Sequence, residues 1–352
     1  MEQSRLLIAI VLSLAIFLTW QFFFSPDEAE RRQAKKVESP AVEEKQAVKD
    51  TEKPYTEAIE KPAPAVESIV EEASLQEAAT ITVDTPLYQA KISENGAVFY
   101  SFLLKNYREK VQKDAPMKQI LTGDETLGVG RLGFSGKSIA GLDKAVFTAN
   151  LPARQLEVND SPRDLTLSWR SQDGIVIEKT YKFSPDTYAI GMEVIIKNGS
   201  GRGIQDRLFV VLNSKAPHGK RRYAFEGPSA LINDKLQEIQ TKKLKDQDTF
   251  DGKIKWVALQ SRYFIAGLIP EQIEEANLHL ALKSDKFVAA RYRQPEKAIQ
   301  PGTQYIYKYQ LFMGPKRIQE LRNVGNDLHK VVDFGWFDII AKPCLWLMNL
   351  FY

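Results

Sequence analysis

Tyr88-Gln89-Ala90-Lys91-Ile92-Ser93-Glu94-Asn95-Gly96-Ala97-Val98-Phe99-Tyr100-Ser101-Phe102-Leu103-Leu104 places two period-two runs on either side of an Asn-Gly pair. Side chains in a strand alternate between faces, so Tyr88–Ser93 and Val98–Leu104 read as strands. Asn-Gly between them is a strong hairpin signal, because both residues tolerate the positive φ that a tight turn needs. The pattern recurs in Leu165–Arg170, Ile175–Phe183 and Tyr188–Lys197, punctuated by Asp173-Gly174, Pro185-Asp186 and Asn198-Gly199. Further candidate strands are Ile254–Ala258, Tyr263–Ile269, Leu278–Leu282, Phe287–Arg293 and Gln304–Met313. Many short strands at this spacing, with no βα rhythm and no internal repeat, predict a mainly β fold: a large antiparallel sandwich. Roughly 250 residues is acceptable for one all-β domain.

The chain has 352 residues, of which 43% are hydrophobic and 26% charged. That is ordinary for a globular protein and excludes a mainly disordered, collagen-like or mostly membrane-embedded chain. A net charge of +3 makes the whole molecule no obvious polyanion binder. The single cysteine, Cys344, excludes an internal disulfide and any zinc site with more than one Cys ligand. Three histidines, His218, His279 and His329, leave little room for a His-rich metal centre.

Both ends depart from this average. Residues 6–24 carry no charge, close to the ~20 residues that cross ~30 Å of hydrocarbon. Leu6, Leu7, Ile8, Ile10, Val11, Leu12, Leu14, Ile16, Phe17, Leu18, Trp20 and Phe22 are the expected anchor residues. The segment's apolar residues favour insertion by about 4 to 8 kcal/mol in total. The run exceeds the ~7–15 residue core of a secretory signal, and Phe23-Phe24-Ser25-Pro26-Asp27 makes no small-x-small cleavage site. It therefore reads as an uncleaved transmembrane anchor, residues 1–24. Flanking charge leaves its orientation open: Arg31, Arg32, Lys35 and Lys36 outweigh Arg5, yet long domains translocate regardless of such charges.

Residues 25–79 are dominated by Glu, Lys, Ala, Pro and Val, with Tyr55 the one aromatic. Such a segment cannot bury enough apolar area to offset its ordering entropy and reads as a disordered charged linker, with room for a short helix near residues 66–78. The β domain is expected over 80–314. Over 315–333 the period becomes helical, with Ile318, Leu321, Leu328 and Val331 on one face, which predicts a linking helix packed on the sandwich. Residues 334–352 are aromatic and apolar, with Asp338 and Lys342 the only charges. The charge-free run from Pro343 is about ten residues, too short to span a bilayer. Two readings stand: a second membrane helix that continues beyond Tyr352, or an amphipathic helix lying in the interface.

Local motifs of chemistry mostly dissolve. Gly128-Val129-Gly130-Arg131-Leu132-Gly133 fits G-x-G-x-x-G but lacks the preceding buried strand and following helix that dinucleotide binding needs, and reads as a glycine-rich β loop. Gly136-Lys137-Ser138 lacks the first glycine of a phosphate loop, since position 131 is arginine. His218 lies in a basic loop and His279 on a strand; structural or solvated roles suit both better than catalysis. Arg202, Arg207, Lys215, Lys220, Arg221 and Arg222, with Lys242, Lys243 and Lys245, form a basic region that suits a solvated face, anionic headgroups or an acidic partner. Nucleic acid is disfavoured, because aromatics are not interleaved as stacking platforms. Asn198-Gly199-Ser200 is a glycosylation sequon that also reads as a turn, and Cys344 reads as a small hydrophobe. No catalytic, cofactor-binding or metal-binding residue is expected, and no cofactor.

The order of parts resembles the YidC/Oxa/Alb family of membrane protein insertases in its Gram-negative form. The residues that carry this are Met1-Glu2-Gln3-Ser4-Arg5-Leu6-Leu7, Lys255-Trp256-Val257-Ala258-Leu259-Gln260-Ser261-Arg262-Tyr263-Phe264, the Met313-Gly314-Pro315-Lys316 turn, and Asp333-Phe334-Gly335-Trp336-Phe337 through Ala341-Lys342-Pro343. The resemblance implies a bacterial inner-membrane protein, multi-pass in its full form, with a cytoplasmic N-terminus. It also implies a β-supersandwich in the periplasm, with residues 25–333 on that side. Implied partners are the lipid bilayer, client membrane proteins and Sec translocon subunits, with insertion proceeding without nucleotide hydrolysis. The family's further helices, with a hydrophilic groove and its arginine, would lie beyond Tyr352; Arg5 is not that arginine. An interfacial helix is expected from Phe334, Gly335, Trp336, Phe337, Ile339, Ile340, Lys342 and Pro343. The alternatives are a membrane-anchored, sugar-acting enzyme on a mutarotase-like sandwich, and a purely structural or binding module.

Overall fold

The computed structural model describes residues 78–112, 114–217, 225–245, 247–283 and 286–332. Contacts divide the chain between Glu71 and Glu72; the first unit lies outside the described residues, and the second holds every element below. The architecture is mainly β, in antiparallel sheets that form a sandwich, with one short α-helix among the described residues, towards their C-terminal end.

In chain order the strands are β1 (Thr80–Asp84), β2 (Tyr88–Ser93), β3 (Val98–Arg108), β4 (Met117–Gln119), β5 (Arg131–Phe134), β6 (Thr148–Ala149) and β7 (Gln155–Glu157). Then come β8 (Arg163–Arg170), β9 (Ile175–Phe183), β10 (Ala189–Asn198), β11 (Ile204–Asp206), β12 (Leu208–Lys215) and β13 (Gly227–Ile232). The last are β14 (Lys235–Glu238), β15 (Thr249–Gln260), β16 (Phe264–Pro270), β17 (Glu275–Lys283), β18 (Phe287–Arg293), β19 (Lys297–Ile299) and β20 (Gln304–Pro315).

The smaller sheet runs β4-β3-β2-β1-β7. The Asn95-Gly96 hairpin forms as the sequence dictates: Ser93 faces Val98, and Gly96 and Ala97 both take positive φ. The pairing is antiparallel as expected apart from β7, which joins β1 in parallel, with Thr82 opposite Gln155. The larger sheet runs β5-β12-β18-β17-β15-β16-β20-β10-β9-β8-β6, with β13 and β14 attached to β15. Along β9, Ile175, Ile177, Lys179, Tyr181 and Phe183 are buried and alternate with more exposed residues; β10 does the same with Ile190, Met192, Val194 and Ile196.

β15 holds the larger sheet together. Residues 249–253 pair with β17, whereas 257–260 pair with β16 and also with β13. At the changeover Lys255 is skipped, since Leu231 faces Trp256 and Ile232 faces Ile254. Such a bulge bends a strand and lets it pass from one ladder to another at a sandwich corner. Across the core Tyr292 of β18 meets Tyr309 of β20 edge-on at 6.4 Å, and Phe99 of β3 meets Tyr181 of β9 at 4.6 Å.

The end of the domain differs from expectation. Met313-Gly314-Pro315-Lys316 is not a turn: β20 continues through Pro315, with Gly314 opposite Ile265. The glycine is required by close approach, because a Cβ there would lie 2.8 Å from Cγ of Tyr188. Gly314→Ala is therefore expected to cost about 1–3 kcal/mol through overpacking, read as a lower midpoint in urea melts; an unchanged midpoint would refute the contact. The helix expected over 315–333 is also broken. α1 (Ile318–Val324) ends at Gly325, whose φ is +85°, and a 3₁₀ turn at Leu328–Val331 follows. A left-handed glycine stops a helix without strain. Leu321, Leu328 and Val331 are nonetheless buried together with the core, whereas Ile318, expected on the same face, is only half-buried.

Candidate functional site

Two segments quoted above for their resemblance meet at one place. The turn between β15 and β16 lies beside the end of β20, because Phe264 pairs with Pro315. Ser261 closes the turn: its amide donates to Phe264 O at 2.9 Å. This leaves Arg262 and Tyr263 projecting, and Tyr263 is 60% exposed with the Arg262 guanidinium 4.9 Å from its ring centre. The Lys316 amide donates to Tyr263 O at 2.8 Å and ties the turn to β20.

Around this junction lies an open cleft of about 1310 Å³. The end of β3 and the loop after it supply Tyr107, Arg108, Lys110 and Val111; Val331 and Val332 close it where the described chain ends. Tyr107 packs edge-on against Phe264 at 5.4 Å. Arg108, Lys110, Lys118, Arg262, Lys316 and Arg317 line the cleft, against Glu109, Glu226 and Glu238. Lys118 donates to Glu109 at 2.7 Å, and the Gln119 amide donates to the same carboxylate at 2.9 Å. Burial raises the Glu109 pKa, but those hydrogen bonds outweigh it and hold the carboxyl below its ordinary range. Lys316 Nζ donates to Gln260 Oε1 at 2.9 Å, and Gln260 in turn donates to Ser229 Oγ at 3.0 Å. Burial brings Lys316 down to about 8, partly offset by Glu238 and Glu226. The cleft is thus a basic recess with an apolar rim. Its described lining presents no nucleophile–base pair of the kind that covalent catalysis needs.

Sequence reasoning missed a second unusual group. Lys179 is fully buried between the two sheets, donating to Ala97 O at 2.6 Å and to Gly130 O. Tyr181 donates to the same Ala97 carbonyl at 2.7 Å. Burial, with Arg131 nearby, pushes the Lys179 pKa well below its ordinary value. The signal was present, since Lys179 shares the inward register of Ile177 and Tyr181.

The glycine-rich motif is explained by the same contact. Val129 bridges Phe99, Gly130 N donates to Val211 O at 2.8 Å, and Gly133 lies under the Phe209 ring, where a Cβ would meet Cζ at 2.3 Å. These glycines admit neighbouring chains and side chains. Asn198 of the sequon is buried and donates to Arg202 O at 2.8 Å and Ile299 O at 2.9 Å, so it organises a turn. His279 on β17 stands 3.5 Å from Asp248 and lines neither this cleft nor the smaller recess beside it. His329 sits in the 3₁₀ turn. Of the basic region, Arg202 is paired with Asp173 at 2.9 Å, and Lys242, Lys243 and Lys245 lie on a separate 3₁₀ turn, Thr241–Lys245. His218, Lys220, Arg221 and Arg222 lie outside the described residues, as do all the expected anchor residues, the interfacial residues Phe334–Pro343, and Cys344. Among the described residues no helix is long and apolar enough to cross a membrane, and no cluster of three His, Cys, Asp or Glu could hold a metal ion.

The model of the YidC periplasmic domain matches residues 80–347. The chain belongs to that family. It is 29% identical to the membrane protein insertase YidC of Syntrophus aciditrophicus, over 99% of this chain and 65% of that protein. With the protein of the same name from Geotalea daltonii the identity is 27%, over 99% and 64%. The chain thus spans less than two thirds of the length of these curated relatives. Among solved structures it is similar to a galactose mutarotase related enzyme from Lactobacillus acidophilus, with a TM-score of 0.48, 10% identity, and coverage of 67% of this chain and 97% of that one. It is also similar to a galactose mutarotase-like protein from Lactobacillus casei, at 0.47, 12%, 67% and 100%.

Proposed function

We propose that this chain is the membrane anchor and periplasmic part of an insertase that assists the insertion and folding of integral membrane proteins, alone or with the Sec translocon. The observation that carries this is the family match over residues 80–347, with relatives named as membrane protein insertases along 99% of the chain. Residues 6–24 hold the protein in the inner membrane with the N-terminus in the cytoplasm, residues 25–79 act as a tether, and the sandwich stands in the periplasm. Phe334–Lys342 lies along the periplasmic interface, with Trp336, Phe337, Ile339 and Ile340 in lipid and Asp338 and Lys342 towards water. Gly335 and Pro343 set bends at its ends.

The physical task is to lower a barrier. A polar client segment that enters hydrocarbon without partners costs several kcal/mol. A hydrophilic groove, formed by membrane helices of the longer protein, offers those groups water and partners while the segment crosses. The sandwich is the rigid periplasmic body to which that machinery is attached.

Two measurements test this in native membranes. The intact chain is expected to stay in the pellet after a carbonate wash, and photocrosslinkers in residues 334–343 are expected to trap a nascent single-span client. A chain released intact into the soluble extract would defeat the proposed topology. In lipid nanodiscs Trp336 is expected to be shielded from a water-soluble quencher, read as the difference between the chain and its Trp336→Phe variant. Full quenching of that component would remove the interfacial placement.

A further inference from the structure

We propose that the cleft at the β15–β16 turn is a docking site for the phosphate headgroup of an anionic membrane lipid. Three observations converge on it. First, Arg108, Lys110 and Arg262 are exposed and make no ion pair with a described residue. The other cations are engaged: Lys118 with Glu109 at 2.7 Å, Arg317 with Glu320 at 3.3 Å, and Lys316 with Gln260. The three exposed groups are the phosphate donors we assign. A guanidinium presents a planar fork of N–H donors that matches phosphate oxygens.

Second, the same rim exposes apolar side chains. Val111 is 104% exposed and Tyr263 is 60% exposed, beside the cations of the cleft lining. Apolar and aromatic groups next to Lys and Arg suit a boundary where acyl chains and headgroups meet. A free phosphate ion would use the cations and gain nothing from Val111 and Tyr263.

Third, Val332 lines the cleft, and Phe334 follows two residues later, at most about 7 Å along the chain. Given the interfacial placement of Phe334–Lys342, on which this step rests, the mouth of the cleft is held at headgroup depth. This position favours a lipid over an acidic protein partner.

The test uses the full chain in a neutral detergent, titrated with dihexanoyl phosphatidylglycerol and, separately, dihexanoyl phosphatidylcholine. Saturable binding of the anionic lipid alone, weakening as salt rises, is expected. The combined variant Arg108→Gln, Lys110→Gln, Arg262→Gln is expected to lose about tenfold or more in affinity, with its melting temperature unchanged because these side chains form no ion pair with a described residue. Val111→Ser with Tyr263→Ser is expected to weaken lipid binding too. Equal binding by the triple variant would overturn the proposal. Inorganic phosphate competing at equal concentration, or a glutamate-rich peptide binding as tightly, would overturn it in favour of a free anion or a protein. Trp336 shielding, read on the same preparations in nanodiscs, separates the two ideas. A shielded Trp336 with an unaffected triple variant removes the headgroup site alone. A quenched Trp336 with cation-dependent lipid binding keeps that site and removes the interfacial reading.

Discussion

Lys179→Met is expected to abolish a rise in stability with pH that burial of the Lys179 amine gives the natural chain as pH climbs towards the ordinary lysine value. Among the described residues no carboxylate pairs with Lys179; its side-chain nitrogen is fully buried and met by two backbone carbonyls, Ala97 O and Gly130 O. Burial, then repulsion from Arg131, depresses its folded-state pKa well below 10.5. In the unfolded chain the ordinary value returns. Between the two values the unfolded state binds more protons, so unfolding becomes harder as pH rises, with a limiting slope of about 1.4 kcal/mol per pH unit. The gain is complete above the unfolded pKa and is lost as pH falls through the folded one. Tyr181 and Tyr309, whose burial raises their pKa values, stay in the variant and cancel from the difference. Urea melts of both proteins over a pH series that ends near the ordinary lysine value should diverge as pH rises. Parallel curves would mean that Lys179 keeps an ordinary pKa in the fold.

Trp256→Ala should produce the largest simple loss of stability, about 3–5 kcal/mol. Trp256 is fully buried in β15, opposite Leu231 and next to the skipped Lys255, where the strand changes neighbours. Removing it leaves a void at the one place where the two ladders share a backbone. At roughly 2–4 °C per kcal/mol for a domain of this size, the melting temperature should fall by about 6–20 °C. Trp256→Phe should cost far less. The indole Nε1 has no hydrogen-bond partner, so the exchange forfeits no polar contact. Equal losses in both variants would point to the indole nitrogen and away from packing volume.

The fold was legible wherever one face of a strand is wet. β2, β9 and β18 have the limits that alternation predicts, because each runs between buried and partly exposed positions. β13 went unread for the opposite reason: Gly227–Ile232 is buried at every position, so alternation carries no signal, and its Pro228 argues against a strand. β4, β6 and β7 are too short for a period to show. The start of β15 was hidden by Asp251, Gly252 and Lys253, polar or flexible residues that pair at a corner. At the candidate site, resemblance drew attention to residues 255–264 and 313–316, yet no sequence spacing joins them to Arg108 and Val111. Only the pairing of β16 with β20, and the reach of β3, brings those groups to one rim.

The passage of β15 between neighbours also governs how the domain can come apart. A sandwich of two independent sheets can gape like a book, each leaf keeping its own hydrogen bonds. Here one uninterrupted ribbon of backbone is stitched into both halves of the larger sheet, to β17 on one side and to β16 on the other. Those halves cannot be parted without tearing that ribbon from one of them, so a tug delivered near β20 is passed through β16 and β15 to β17 and β18.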